Sequence, residues 1–175
     1  MKIEYENTID DIVSFNLYIF NNSPGMKRSR RIITYSFPIL WFFIMVLPEI
    51  SSDIILYEIL AWLILSVPWI LLVPYIYKWS TIKNVKRLYS EGENKGTVGK
   101  HTTELKPDSL DDETDYGEFR QQWNAVNKIE TDDNYILLFT SSVAAHIIPK
   151  RYFGSNFEIE SFVKEVQKFI DKNRV

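Results

Sequence analysis

The sequence has no cysteine, only two histidines and almost no charge along two long apolar stretches. Without cysteine there is no disulfide, no thiolate metal site and no cysteine nucleophile, a usage that fits a reducing compartment. No G-x-G-x-x-G, P-loop or HExxH motif is present, so no cofactor is implied. His101 and His146 lie far apart, and nothing near them in sequence points to a hydrolase triad. A basic excess is also missing: 20 Lys and Arg stand against 23 Asp and Glu, which argues against a nucleic-acid binder. The acidic run Asp111, Glu113, Asp115 does not make a calcium loop either. Counted from Asp111, such a loop needs glycine at Tyr116 and glutamate at Gln122. A solvated hairpin is the expectation there, and no metal site.

What is present is apolar, and it is concentrated. The mean hydropathy of -0.14 looks soluble, but the average hides two segments. Ile32 to Ile50 carries no charge before Glu49. Ile54 to Tyr77 has Glu58 as its one charge. A helix needs about 20 mostly apolar residues to cross a hydrocarbon core, and neither segment has the polar stripe of an amphipathic core helix. The sequence therefore predicts a two-span transmembrane hairpin, with spans at about 32–50 and 54–77. The joining turn, residues 48–53, has two acids and no base. Lys27, Arg28, Arg30 and Arg31 precede the first span; Lys78, Lys83, Lys86 and Arg87 follow the second. Lys and Arg close to span ends stay in the cytoplasm, so both termini are expected on the cytoplasmic side of the cell membrane. Trp79, Tyr75 and Tyr77 suit an interfacial belt. Arg28, Arg30, Arg31, Lys83, Lys86 and Arg87 can hold anionic headgroups or simply enforce the topology. Pro38, Pro48, Pro68 and Pro74 interrupt the pair, read as static kinks rather than hinges. Glu58, about one turn inside the boundary, can reach the interface and is the intramembrane polar residue to watch.

The flanks read as folded. Residues 1–26 show a short alternating strand, Lys2 to Glu6, then a helix start at Thr8. That helix lacks Lys and Arg, so packing on the C-terminal domain is favoured over lying on the membrane. After the hairpin, 27–79, a basic helix is expected to end at Gly92 and a polar linker to run over 93–96. From 97 to 175 the texture is short strands and turns closed by an amphipathic helix at Phe157 to Lys172. Its stripe includes Ile159, Phe162, Val166 and Ile170. The fold class is α+β. In the alternating stretch Glu118 to Trp123, Phe119 and Trp123 are expected to face one way.

Several of these features resemble the YcxB-like family of small bacterial membrane proteins. They are the segment FNLYIFNNSP at Phe15 to Pro24 before the first span, the hairpin itself, and a C-terminal pattern. That pattern is Trp123 and Ile129, then Tyr135-Ile136-Leu137-Leu138, then Ile147-Ile148-Pro149-Lys150-Arg151 with Phe153 before the helix. The resemblance implies a pleckstrin-homology-like C-terminal domain, a bent antiparallel sheet capped by one helix. It carries over no catalytic residue. Phosphoinositide recognition is not implied, because no base occurs from Asp108 to Glu118. The expected role is a non-enzymatic, membrane-anchored interaction or regulatory module, with Trp123, Lys150 and Arg151 as candidate contacts. Its expected partners are the lipid bilayer and a membrane or cytoplasmic protein, and a homo-oligomer is compatible. The alternative is an oligomeric transport or self-protection protein, in which the prolines and Glu58 would matter.

Overall fold

A computed structural model describes residues 1–91 and 96–173. The expected helix end at Gly92 and all but the last residue of the polar linker fall outside the described residues. The element order is β1 (Lys2–Asn7), α1 (Ile9–Asn22), α2 (Pro24–Trp41), α3 (Ile55–Glu91), β2 (Gly99–Leu105), β3 (Ser109–Thr114), β4 (Gly117–Gln122), β5 (Lys128–Thr131), β6 (Tyr135–Phe139), β7 (Ala145–Pro149) and α4 (Asn156–Asn173). The chain forms two compact units. One joins Met1–Phe15 to Val85–Val175, and the other is Asn16–Asn84. The boundaries therefore fall inside α1 and α3, rather than at residues 26 and 79 where the composition changes.

The first unit is α+β. Its sheets are a four-stranded one in the order β1-β2-β3-β4 and a three-stranded one in the order β5-β6-β7, with antiparallel pairing throughout. Strand β1 joins the first sheet through Lys2↔Glu104 to Asn7↔Gly99, so segments before and after the apolar helices share one sheet. Strand β6, Tyr-Ile-Leu-Leu-Phe, is buried along its whole length. Its side chains alternate between two covered faces. Ile136 and Leu138 join the core beneath Phe162, Val166 and Ile170 of α4. On the other face Tyr135 and Phe139 meet α1. That double burial is why the sequence shows a continuous apolar run rather than an alternation. Helix α4 starts at a Ser155 cap, whose Oγ accepts the Glu158 N–H at 3.3 Å.

Trp123 departs from expectation. It does not continue β4 beside Phe119, because a short 3-10 turn, Trp123–Ala125, follows the strand. The turn buries the indole fully while Phe119 stays exposed. Its Nε1–H donates to the Lys106 carbonyl at 2.9 Å, and the ring stacks on Phe169. The acidic run lies in the hairpin formed by β3 and β4, as expected, with Glu113 and Asp115 exposed, but Asp112 is buried.

The second unit is helical. Helix α2 begins with Pro24 in its first turn, where a missing N–H costs nothing. Inside it, Pro38 deprives the Thr34 carbonyl of its usual partner. The Pro38 carbonyl accepts both the Phe42 N–H and the indole Nε1–H of Trp62, the latter at 2.9 Å. A side chain inserted into the backbone ladder is a recognised cause of bending, and a π-helical turn follows at Phe42–Val46. Turns occupy the next residues up to α3. The predicted first span is thus an α-helix that gives way to a π turn, not one α-helix over 32–50. Among the described helices, α3 alone is long and apolar enough to cross a membrane. It carries Pro68 and Pro74 without interruption and runs past Tyr77 to Glu91.

Candidate functional site

The residues expected to meet a partner separate in three dimensions. Trp123 is core and unavailable. Lys150 and Arg151 lie in a 3-10 turn after β7, but both are engaged. Lys150 donates from its N–H to the Asn134 carbonyl and from Nζ to the Asp132 carbonyl, closing the β5–β6 turn. Arg151 grips Asp11 with two parallel bonds, Nη1 to Oδ1 and Nη2 to Oδ2, each 2.7 Å. It also reaches the Glu6 carbonyl at 2.9 Å. Such a fork-to-fork pair is geometrically specific as well as strong.

Asp11 is the hub of that cluster. It occupies the first turn of α1, and with Thr8 it forms a reciprocal cap. The Thr8 N–H and hydroxyl each donate to Oδ2 at 2.8 Å, and the Asp11 N–H donates to the Thr8 Oγ1 at 3.3 Å. The Tyr135 hydroxyl donates to Oδ1 at 2.8 Å. Burial alone would push this carboxyl up. The Arg151 guanidinium, the Thr8 cap and the Tyr135 hydroxyl outweigh it and hold the group well below the usual carboxylate range. Arg151 is correspondingly pushed up, chiefly by its bonds to Asp11. The cluster locks the start of α1 to β6 and to the turn after β7. Sequence reading missed it because Asp11 and Arg151 are 140 positions apart; the Thr-x-x-Asp cap was the local signal.

A second buried network was also missed. Thr103 donates to Asp112 Oδ1 at 2.8 Å, and His101 Nδ1 lies 2.9 Å from Asp112 Oδ2. The Thr103 hydroxyl also contacts the Tyr5 hydroxyl, and the Tyr5 ring stacks on His101. Burial, followed by the Asp112 charge, pushes the Tyr5 phenol up. The order of groups is not that of a nucleophilic triad. In a triad, histidine sits between nucleophile and acid, whereas here the acid sits between threonine and histidine. Thr103 is also buried. The network cross-links β1, β2 and β3. On the outer side of the same sheet, Asp111 is held well below the usual range by Arg120, Lys106 and Ser109. Arg120 on β4 and Lys106 just past β2 thus supply the bases that the acidic run lacks in sequence.

Two open features stand out among the described residues. A groove of about 890 Å³ lies between the β5–β6 turn and the start of α4, lined by Asn134, Lys150, Phe153, Ile159 and Val163 among others. A cleft of about 390 Å³ is lined by Asn7, Thr97, His101, Phe119 and His146 among others. Burial pushes His146 down. Among the described residues no group of three or more His, Asp or Glu side chains could hold a metal ion.

The basic residues flanking the apolar helices are spread along them. The Arg30 guanidinium sits over the Phe20 ring and the Lys83 ammonium over the Trp79 ring. Lys86 pairs with Asp10, and Arg87 approaches Glu91. Arg28 and Arg31 lie on α2. Glu58 is half-buried in the first turn of α3.

These features define a class: an α+β chain with antiparallel sheets, a capping C-terminal helix and one helix apolar enough for a bilayer. Residues 105–166 match the family model described as YcxB-like protein, from the end of β2 into α4. The chain thus carries a YcxB-like region over about a third of its length, in agreement with the resemblance read from its sequence. Neither the curated proteins nor the solved structures contain a match.

Proposed function

We propose that this protein is a two-span membrane anchor carrying a cytoplasmic, pleckstrin-homology-like domain, and that it works as a non-enzymatic interaction module at the inner leaflet. One observation carries the topology. Strand β1 precedes the apolar helices and β2 follows them, yet the two pair in one sheet. A chain that leaves a folded unit and returns to it must cross the membrane an even number of times. If α3 crosses once, a second crossing falls between Phe15 and α3. The uncharged stretch Ile32 to Pro48 is the segment suited to it, as α2 prolonged by the π turn. The two sheets of four and three strands closed by α4 support the pleckstrin-homology-like arrangement. The basic flanks support a cytoplasmic domain. Anchoring would raise the local concentration of the domain for membrane partners. Reporters fused at either terminus should read cytoplasmic, and one inserted at Ser51 external. A terminus reading external would overturn the proposal.

The oligomeric transport or self-protection reading draws on a different observation. Ser66 Oγ and Trp69 Nε1 are buried without a hydrogen-bond partner among the described residues, and the π turn Phe42–Val46 of the same unit is a kind of distortion that recurs at functional sites. Under that reading Glu58→Gln alters ion leak from loaded vesicles; an unchanged leak disfavours it.

A further inference from the structure

We propose that the end of the α+β unit formed by the β6–β7 turn and the β3–β4 hairpin docks on the bilayer that anchors it, inserting Val143 and Phe119 into the interfacial layer. This rests on the membrane-anchor reading above.

The direction of α1 identifies this end. At the helix start, Asp11 contacts Tyr135, the first residue of β6. One turn on, Phe15 contacts Phe139, the last residue of β6, with ring centroids 6.1 Å apart. The helix therefore runs along β6 and leaves the unit at its Phe139 end. The chain passes from there into the apolar helices, so α1 tethers the unit at this end. The turn from Phe139 to Ala145 lies at that end. It reads Thr-Ser-Ser-Val-Ala, without charge. Val143 is 59% exposed within it. Phe119 is 54% exposed and lies 5.7 Å, ring to ring, from His146, next to Ala145. One exposed apolar side chain within a neutral turn and another beside it thus mark the tethered end.

Charge does not draw this end to a membrane. Asp115 and Glu118 border Tyr116 at the tip of the β3–β4 hairpin, against Lys100 and Lys128 nearby in register. Apolar burial has to supply the contact, and an anionic surface should not strengthen it. The opposite end supplies the control. Phe157, 77% exposed, opens α4. The adjoining Asn156 lines the groove shared with Asn134 and Tyr135, at the far end of β6.

The absence of cysteine makes the test direct. Single cysteines replace Val143, Phe119, Phe157 and, within α3, Ile64 in the full chain. Each variant carries a nitroxide label in zwitterionic phosphatidylcholine vesicles, and collision with oxygen is compared with collision with a water-soluble nickel chelate. The ratio should favour oxygen several-fold more at positions 143 and 119 than at 157, and should favour it at 64. Water-like ratios at 143 and 119 with a lipid-like ratio at 64 would overturn docking and leave the anchor intact. A water-like ratio at 64 would overturn the anchor and docking with it. Shielding of 143 and 119 from both reagents would mean that protein, not lipid, covers this end, and would overturn the proposal too.

Discussion

The two units use the same side chains in opposite ways. In the α+β unit Ile136, Leu138 and Ile148 are wholly buried. In the helical unit Leu60, Ile64 and Leu71 stand exposed along α3. Polar groups invert as well. The buried carboxylates Asp11 and Asp112 have several partners each. The helical unit instead buries Thr34 and Ser66 at the faces of α2 and α3. Small and weakly polar contacts are what helices use when lipid competes for their apolar surface. The contrast is the one expected if, as proposed, each unit is matched to a different solvent, and one chain passes between the two units twice.

The largest expected effect breaks the α+β side alone. Trp123→Ala removes a fully buried indole and its bond to Lys106, and should cost about 3–5 kcal/mol. Limited proteolysis of the protein in membrane vesicles should then cut the α+β unit, while the association of the helical unit with the vesicles persists. Loss of that association would show that the units are not independent.

Asp11→Ala comes next. It leaves Arg151 without its buried partner and uncaps α1. Breaking a buried pair costs several kcal/mol, but Arg151 is about half exposed, so solvent screening brings the expectation to about 2 kcal/mol. A double-mutant cycle with Arg151→Met measures the coupling. The same contact makes Arg151→Glu a poor probe of partner binding, since losing a partner could follow from losing the fold.

Acid sharpens the comparison further. The Asp11 pKa is depressed in the folded state, so its contribution is present above the unfolded value of about 3.9 and is lost as pH falls through the folded one. His146 is depressed by burial. As a base favoured neutral in the fold, it too stabilises above its unfolded value of about 6.5 and loses that contribution as pH falls toward its lower folded value. Stability of the α+β unit should therefore decline first below about pH 6.5. His146→Gln should flatten that first decline, seen in chemical denaturation at several pH values, and Asp11→Asn should flatten the later one.

The smallest effect lies in the helical unit. Trp62→Phe keeps the ring but loses the bond to the Pro38 carbonyl, worth about 0.6 kcal/mol by analogy with other membrane helices. Unfolding in mixed detergent should register it, with domain proteolysis unchanged.

Local pattern made several elements legible. The stripe Ile159, Phe162, Val166, Ile170 marked α4, and Thr8 followed by Asp10 and Asp11 marked the start of α1. The run Tyr135 to Phe139 marked β6, and two charge-free stretches marked the apolar helices. The alternation from Glu118 misled at its end, because the strand stops at Gln122 and Trp123 opens a 3-10 turn. The π turn at Phe42 was likewise invisible; it follows Pro38, whose carbonyl also accepts the indole N–H of Trp62 from α3. Neither departure has a periodic signature.

By itself, then, the sequence determined which segments avoid water, which faces of its helices and strands are apolar, and where bases bracket the apolar stretches. These are local properties, set by residue type and by periods of 3.6 and 2. Only the tertiary structure decided that residues 2–7 pair with residues 99–104 across the inserted helices, that Asp11 meets Arg151, and that Asp112 gathers Thr103 and His101. Such contacts depend on which strand lies beside which. A periodic pattern tells a strand which face to bury without naming its neighbour.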